Sequence, residues 1–167
     1  AIGCCLVGSE MCIRDRAQPR AAGGAGRLAR NQGILSNGDD APDFSLRTYD
    51  GSQVITLSEL RGKPVVLVFG SCTCPPFVRS TSMINSLVKE YREDVNFLMV
   101  YIREAHPIGG REVPNNQYQV NAPTTLSQRC ELAEDFDDRI EMQMPIVVDT
   151  INDTVADVYA PWPNRMV

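Results

Sequence analysis

Two runs of mostly apolar residues constrain the fold of this chain most. The first, PVVLVF, spans Pro64 to Phe69, and the second, VNFLMVYI, spans Val95 to Ile102. Continuous apolar runs of this length are typical of strands that are buried on both faces, as in parallel sheets. The pattern therefore predicts two parallel strands and places the first in the middle of a sheet.

The segment between these strands has the periodicity of an amphipathic helix. Apolar residues recur at helical spacing among charged ones from about Pro75 to Tyr91. Pro75 or Pro76 suits the first turn of a helix, where a missing N–H costs nothing. The chain thus contains a predicted β-α-β unit, and we expect an α/β fold.

Weaker patterns predict further elements on both sides of this unit. A strand near Phe44–Arg47, a turn at Tyr49–Ser52 and a strand at Val54–Thr56 form a predicted hairpin. A short helical turn is expected to end at Gly62. The later predictions are a helix near Leu126–Asp137 with Leu126, Cys130, Ala133 and Phe136 on one face, a strand at Pro145–Asp149, a short helix in NDTVADVY and another strand starting in APWPNRMV.

The N-terminal residues differ in character from the rest. The stretch CLVGSEMCIRDR resembles the translation of a sequencing-library adapter, so residues 1–16 are expected to be an adapter scar rather than a signal peptide, with the start of the gene missing. Residues 17–40 are rich in Ala, Gly and Arg and are expected to form a flexible leader. The folded domain is then residues 41–167.

Composition narrows the classes of function. The formal net charge is −5 with no basic block, so no nucleic-acid partner is indicated. No run approaches the roughly 20 apolar residues that a membrane-spanning helix needs. The interpretation leans towards a cytoplasmic location and leaves an N-terminal membrane anchor open. Without the scar three cysteines remain, Cys72, Cys74 and Cys130, which favours a reducing compartment and a reactive thiol.

Cys72 and Cys74 lie in SCTCPPF, where the first buried strand meets the helix. A zinc site is disfavoured, because the chain has one histidine and no second cysteine pair. A disulfide between the two would close a strained ring, since residues two apart in a strand are separated by roughly 6.6 Å, near the upper limit of about 6.8 Å. Such a bond is expected to be transient. Cys130 is interpreted as a core residue.

The nucleophile hypothesis selects Cys74, because it stands at the helix N-terminus. A dipole contribution of up to about 2 kcal/mol would lower its pKa from about 8.5 towards 7. Ser71 and Thr73 flank it with hydroxyl groups. His106 follows the second strand, at the same sheet edge, as a proton donor, and Glu104 is placed to orient the imidazole or raise its pKa.

The chain resembles the iodothyronine deiodinase family in two stretches, VFGSCTCPPF followed by FLMVYIREAHP. A later segment of that family is matched by IVVDTINDTVADVYAPWPNR. APDFSLRTYDGSQVITLSELRGKPVVLVFGS resembles redoxin domains in general. In the deiodinase family a selenocysteine precedes Pro-Pro-Phe, and Cys74 stands at that position. The resemblance covers Ala41 to Val167. It implies an α/β thioredoxin-like fold with an N-terminal β-hairpin, whose last strand pair and final helix lie beyond Val167.

The resemblance also implies a reaction, the thiol-dependent removal of iodine from an iodinated aromatic. Cys74 would be the nucleophile, and Glu104 and His106 the pair that protonates the leaving carbon. Cys72 or an external thiol would regenerate Cys74, and Cys130 stays open as the resolving cysteine. Pro163 falls where thioredoxin folds place a cis-proline beside the active site. No bound cofactor or metal is expected. The implied partners are a small-molecule substrate and a thiol reductant such as thioredoxin or glutathione, and a homodimer is compatible with the pattern.

The chain departs from the family pattern in three places. Cysteine in place of selenocysteine implies a slower nucleophile, IGGREVPNN replaces the family's Gly-Trp after His-Pro, and a second histidine is replaced near Pro123. Two alternatives stay open. One is a peroxidase or thiol-disulfide oxidoreductase that uses the same Cys74. The other is a non-catalytic binding module on a redoxin fold.

Overall fold

The structure is a computed structural model that describes Leu35 and residues 38–161. The adapter-like segment, most of the leader and Pro163 lie outside the described residues. No helix in the described part is long and apolar enough to cross a membrane. The elements are β1 (Ser45–Arg47), β2 (Val54–Thr56), a 3-10 turn (Leu57–Leu60), β3 (Val65–Gly70), α1 (Pro75–Tyr91), β4 (Asn96–Tyr101), α2 (Leu126–Ile140), β5 (Ile146–Val148) and α3 (Thr154–Tyr159).

The predicted β-α-β unit forms the centre of the molecule. β3 pairs in parallel with β4 from Val65 opposite Asn96 to Gly70 opposite Tyr101, and β5 pairs in parallel with the last three residues of β4. The described sheet therefore has the order β3-β4-β5. Within the described residues β4 lies between β3 and β5, and the middle position expected for β3 stays a prediction.

Alternation along the strands divides the core between the two faces of the sheet. Val68 of β3 and Met99 of β4 face one cluster, whereas Leu67 and Leu98 face the other, as the two-residue period of a strand requires. The first cluster takes its helical residues from α1 and α2, including Phe77, Ile84, Val88, Ala133 and Phe136. The second is closed by the hairpin, the 3-10 turn and α3 through Leu46, Leu57, Val155, Ala156 and Tyr159.

The predicted hairpin is confirmed. β1 and β2 are antiparallel with Leu46 opposite Ile55, and Gly51 takes a positive φ of 70° in the turn between them. The Asp50 carboxylate accepts a hydrogen bond from the Ser52 backbone N–H at 3.1 Å, an Asx-type contact that fixes the turn. A single antiparallel bridge joins Thr48 to Val147 of β5, so the hairpin is attached to the main sheet.

Helix α2 extends beyond the predicted Asp137 to Ile140, and two of the four residues of its expected apolar face, Ala133 and Phe136, are buried. Leu126 is 45% exposed, whereas Arg129 is only 2% exposed. The guanidinium of Arg129 forms an ion pair with Asp153 at 2.9 Å and donates to the Thr150 carbonyl at 2.6 Å. The ion pair compensates the buried charge, and Nε has no hydrogen-bond partner among the described residues. Arg129 thereby ties α2 to the loop that follows β5.

One glycine decides how closely α1 approaches the sheet. A Cβ atom at Gly70 would lie 2.5 to 2.6 Å from three ring carbons of Phe77. The absence of a side chain at Gly70 therefore allows the first turn of α1 to pack against the end of β3. That contact positions the loop between them, residues 71–74.

We predict that Gly70→Ala lowers the free energy of unfolding by about 1–3 kcal/mol, the usual cost of overpacking. Urea denaturation monitored by circular dichroism measures the change. In a Phe77→Leu background the same glycine substitution should cost less, because the smaller side chain gives way. An equal cost in both backgrounds would contradict the role of the Gly70–Phe77 contact.

Candidate active site

A tight turn joins β3 to α1 and carries both cysteines of the SCTC motif. The Cys74 N–H donates to the Ser71 carbonyl at 3.2 Å, which closes the turn. Cys74 is the N-cap of α1, with Pro75 as the first helical residue. The predicted position of Cys74 at the helix N-terminus is confirmed. Cys72 and Cys74 therefore lie in a turn, not in the extended strand that the separation of roughly 6.6 Å assumes.

A buried carboxylate organises the site. Glu104 is 7% exposed, and its Oε1 accepts a hydrogen bond from the Tyr101 hydroxyl at 2.6 Å. Its Oε2 accepts from the Thr73 backbone N–H at 3.0 Å, from the Thr73 hydroxyl and from the Cys72 thiol at 3.4 Å. Four donors thus converge on one side chain, as burial of a carboxylate requires.

Further hydrogen bonds connect the cysteine turn to the loop after β4. The His106 backbone N–H donates to the Thr73 hydroxyl at 3.1 Å, and the Ala105 N–H donates to the Ser71 hydroxyl at 3.3 Å. Asn116 donates from its side-chain amide to the Thr73 carbonyl at 3.0 Å. The structure therefore brings together Ser71, Cys72, Thr73, Cys74, Glu104 and His106, the six residues singled out in the sequence.

The imidazole of His106 is oriented by a different group from the one predicted. Its Nδ1 lies 2.6 Å from the Arg111 carbonyl oxygen, which can only accept, so Nδ1 carries the proton of this bond. Nε2 is then the ring nitrogen left for a substrate. Within the described residues Glu104 makes no hydrogen bond to the ring. The expected direct Glu104–His106 pair is thus replaced by a link through Thr73.

Burial dominates the acidity of both thiols. Desolvation, followed by the negative charge of Glu104, raises the pKa of Cys72 to about 12. Burial also raises the pKa of Cys74, and the backbone N–H of Phe77 offsets part of that rise. The predicted lowering of the Cys74 pKa towards 7 is therefore wrong in direction, because desolvation outweighs the helix N-terminus.

A cavity of about 330 Å³ reaches Cys72. Its wall combines Cys72 with residues of two later segments, the 116–120 loop and helix α2: Asn116, Gln117, Tyr118, Gln119, Val120, Leu132, Asp135, Phe136 and Arg139. The sequence pattern predicted neither the role of Tyr101 in the site nor the residues that line this cavity. A tyrosine at the carboxyl end of a parallel strand was the one available signal, because ligand-contacting groups concentrate at that edge.

Cys130 is half-buried and packs against the first core cluster. The three cysteines of the described residues are all free thiols. In the described part of the chain, no group of three or more histidine, cysteine, aspartate or glutamate side chains is arranged to hold a metal ion. The chemistry available here is that of the paired thiols, the carboxylate and the imidazole.

Solved structures with the same arrangement of strands and helices identify the class of fold. A secreted disulfide oxidoreductase of Mycobacterium tuberculosis, homologous to E. coli DsbE, matches 74% of this chain and 73% of its own with a TM-score of 0.54 at 17% identity. A putative thiol:disulfide interchange protein DsbE from Chlorobium tepidum gives 0.54 at 21% identity, over 75% and 70% of the two chains. The predicted thioredoxin-like fold is confirmed.

The family is shown by sequence. The model of the iodothyronine deiodinase family matches residues 26–167, starting within the predicted leader. Thyroxine 5-deiodinase of Ovis aries is 34% identical over 131 residues, and type I iodothyronine deiodinase of Xenopus laevis is 32% identical over 130 residues. This chain belongs to the iodothyronine deiodinase family. Each match covers 77% of this chain, which spans 44% and 51% of the two relatives, about half their length.

We predict that Thr73→Val lowers the free energy of unfolding by about 1–3 kcal/mol. The substitution leaves the His106 N–H without its acceptor and removes one donor from buried Glu104. Urea denaturation measures the loss. Thr81→Val is the matched control, because the buried Thr81 hydroxyl bonds only to Val78 of its own helix. Equal losses in the two variants would show that the Thr73 hydroxyl, which links Glu104 to His106, contributes nothing to the free energy of unfolding.

Alkylation by iodoacetamide should report the raised thiol pKa values, because only the thiolate reacts. We expect the rate at Cys74 to keep rising above pH 9 and the rate at Cys72 to rise further, towards its pKa of about 12. Mass spectrometry of the labelled peptides separates the two sites. Glu104→Gln removes a negative charge that opposes both thiolates and should shift both profiles to lower pH. A plateau for Cys74 below pH 8 would contradict the account.

Proposed function

We propose that the protein is a thiol-dependent oxidoreductase that removes iodine reductively from an iodinated aromatic compound. The observation that carries the proposal is the placement of Cys74 at the start of α1, in a turn hydrogen-bonded to the loop of His106. A nucleophile and a proton donor at one sheet edge are what the reaction requires. Family membership supports iodine as the atom attacked.

The proposed first step transfers iodine from carbon to sulfur. The Cys74 thiolate attacks the iodine, an S–I bond forms and the C–I bond breaks. The electron pair of that bond stays on the aryl carbon, which takes a proton from Nε2 of the His106 imidazolium. Nδ1 keeps its bond to the Arg111 carbonyl throughout, so the hydrogen bond holds the ring while Nε2 reacts.

The second step resolves the oxidised sulfur. Cys72 attacks Cys74, an S–S bond forms, and iodide leaves together with the proton of the Cys72 thiol. Two equivalents of an external thiol then reduce the disulfide. The raised pKa of both thiols keeps the thiolates scarce at neutral pH, so we expect slow turnover there.

Iodide release from thyroxine, assayed with the full-length chain and dithiothreitol, tests the proposal. We predict that Cys74→Ser abolishes release and that His106→Ala lowers it by about 10²-fold or more, the usual contribution of a general acid. Cys130→Ser is the matched control and should retain the full rate. Release that survives Cys74→Ser would contradict the mechanism. Consumption of hydrogen peroxide without any iodide release would favour a peroxidase instead.

A further inference from the structure

The 330 Å³ cavity beside Cys72 has the features of a separate ligand site. Its volume lies at the lower end of the range of roughly 300–1,000 Å³ found for small-molecule pockets. Cys72 is 2% exposed and Phe136 is fully buried, whereas Gln117 and Gln119 are exposed. The cavity therefore runs from a polar opening to a thiol. Cys74 is not among the residues that line it.

Two opposite charges border the cavity without neutralising each other. Asp135 and Arg139 are exposed and lie one turn apart on α2, the spacing at which such pairs usually interact. In the described part of the chain, neither forms an ion pair within 4.0 Å. The Arg139 guanidinium instead lies 5.5 Å from the ring centroid of Tyr118. Both charges are thus available to a ligand that carries an ammonium and a carboxylate group.

Tyr118, whose ring contacts Arg139, supplies a third polar group. Tyr118 lines the cavity and is 5% exposed. Its hydroxyl is buried and has no hydrogen-bond partner among the described residues. An unpaired buried hydroxyl is costly, so a bound molecule with an acceptor group would gain by reaching it. Asn116, also in the wall, already donates to the Thr73 carbonyl and helps to fix the cysteine turn.

We propose that this cavity binds a small zwitterionic thiol of the amino-acid or short-peptide type, which reduces the oxidised protein by attacking Cys72. Arg139 would bind the carboxylate of the thiol compound, Asp135 its ammonium group, and its sulfur would reach the base of the cavity. The inference rests on the proposed function, since that reaction oxidises Cys74 and leaves the Cys72–Cys74 disulfide. It adds the site and the direction from which the reductant enters.

The reduction proceeds by two exchanges. The thiolate of the small molecule attacks the Cys72 sulfur, forming a mixed disulfide and releasing Cys74 as a thiolate. The thiolate of a second small molecule then attacks the sulfur of the first one in the mixed disulfide. This exchange forms the disulfide of the two small molecules and releases the Cys72 thiolate, which takes up a proton. Two thiols are oxidised for each protein disulfide reduced.

The shape of the site favours a small reductant over a protein. A protein thiol would have to bring its own cysteine to the base of a cavity where Cys72 is almost inaccessible. A mixed disulfide with Cys72 is chemically distinct from one with Cys74, so the point of entry is measurable. A protein reductant that attacks Cys74 from the other side is one outcome of the test.

The test follows reduction of the protein after oxidation with diamide, in a Cys130→Ser background, by glutathione and by the uncharged 2-mercaptoethanol. Samples are quenched with iodoacetamide and analysed by mass spectrometry. Arg139→Gln should lower the rate with glutathione about tenfold, the loss expected for one charge-assisted hydrogen bond. The rate with 2-mercaptoethanol should change less than about twofold. Arg92→Gln, an exposed arginine outside the cavity wall, should affect neither.

The mixed disulfide should be found on Cys72. A mixed disulfide on Cys74, equal effects of Arg139→Gln on the two thiols, or no Cys72–Cys74 disulfide after oxidation would each overturn the inference. The assay contains no iodinated compound, so it is independent of the proposed function. If the thyroxine assay shows no iodide release but reduction by glutathione depends on Arg139, only the proposed function is contradicted. If iodide is released but reduction by glutathione does not depend on Arg139, only the proposed role of the cavity is contradicted.

Discussion

The buried carboxylate of Glu104 is the interaction on which the rest of the site depends. Its two oxygens accept hydrogen bonds from Tyr101, Thr73 and Cys72. The Thr73 hydroxyl in turn accepts a hydrogen bond from the backbone N–H of His106. The strand ends that β3 and β4 bring to one edge are thereby joined into one rigid unit. A buried charge that lost these donors would be strongly destabilising, so the turn and the following loop fold together.

The same carboxylate has a chemical consequence. Its negative charge and the surrounding burial oppose ionisation of both cysteines, although Cys74 lies at a helix N-terminus. In the proposed reaction the protein therefore combines a well-positioned sulfur with a scarce thiolate. Cys72 lines the cavity and Cys74 does not, so the small thiol that we propose as reductant would enter apart from the proposed nucleophile.

The continuous apolar runs predicted β3 and β4 because burial on both faces leaves a local signal. Pro75 likewise located the start of α1, and hence the position of Cys74. Contacts between distant residues left no such signal. No local pattern indicated the burial of Arg129, because its partners, Thr150 and Asp153, lie in the loop after β5. The direction of the Cys74 pKa shift was missed for the same reason, since desolvation depends on packing by residues far along the chain.

A single-turnover experiment tests the central claim, that Cys74 takes iodine from carbon and Cys72 resolves it. Reduced protein in a Cys130→Ser background is mixed with excess thyroxine and no added thiol, and iodide and cysteine oxidation are measured together. We expect one equivalent of iodide for each protein chain, matched by one Cys72–Cys74 disulfide. Iodide released without cysteine oxidation, or cysteine oxidation without iodide, would contradict it.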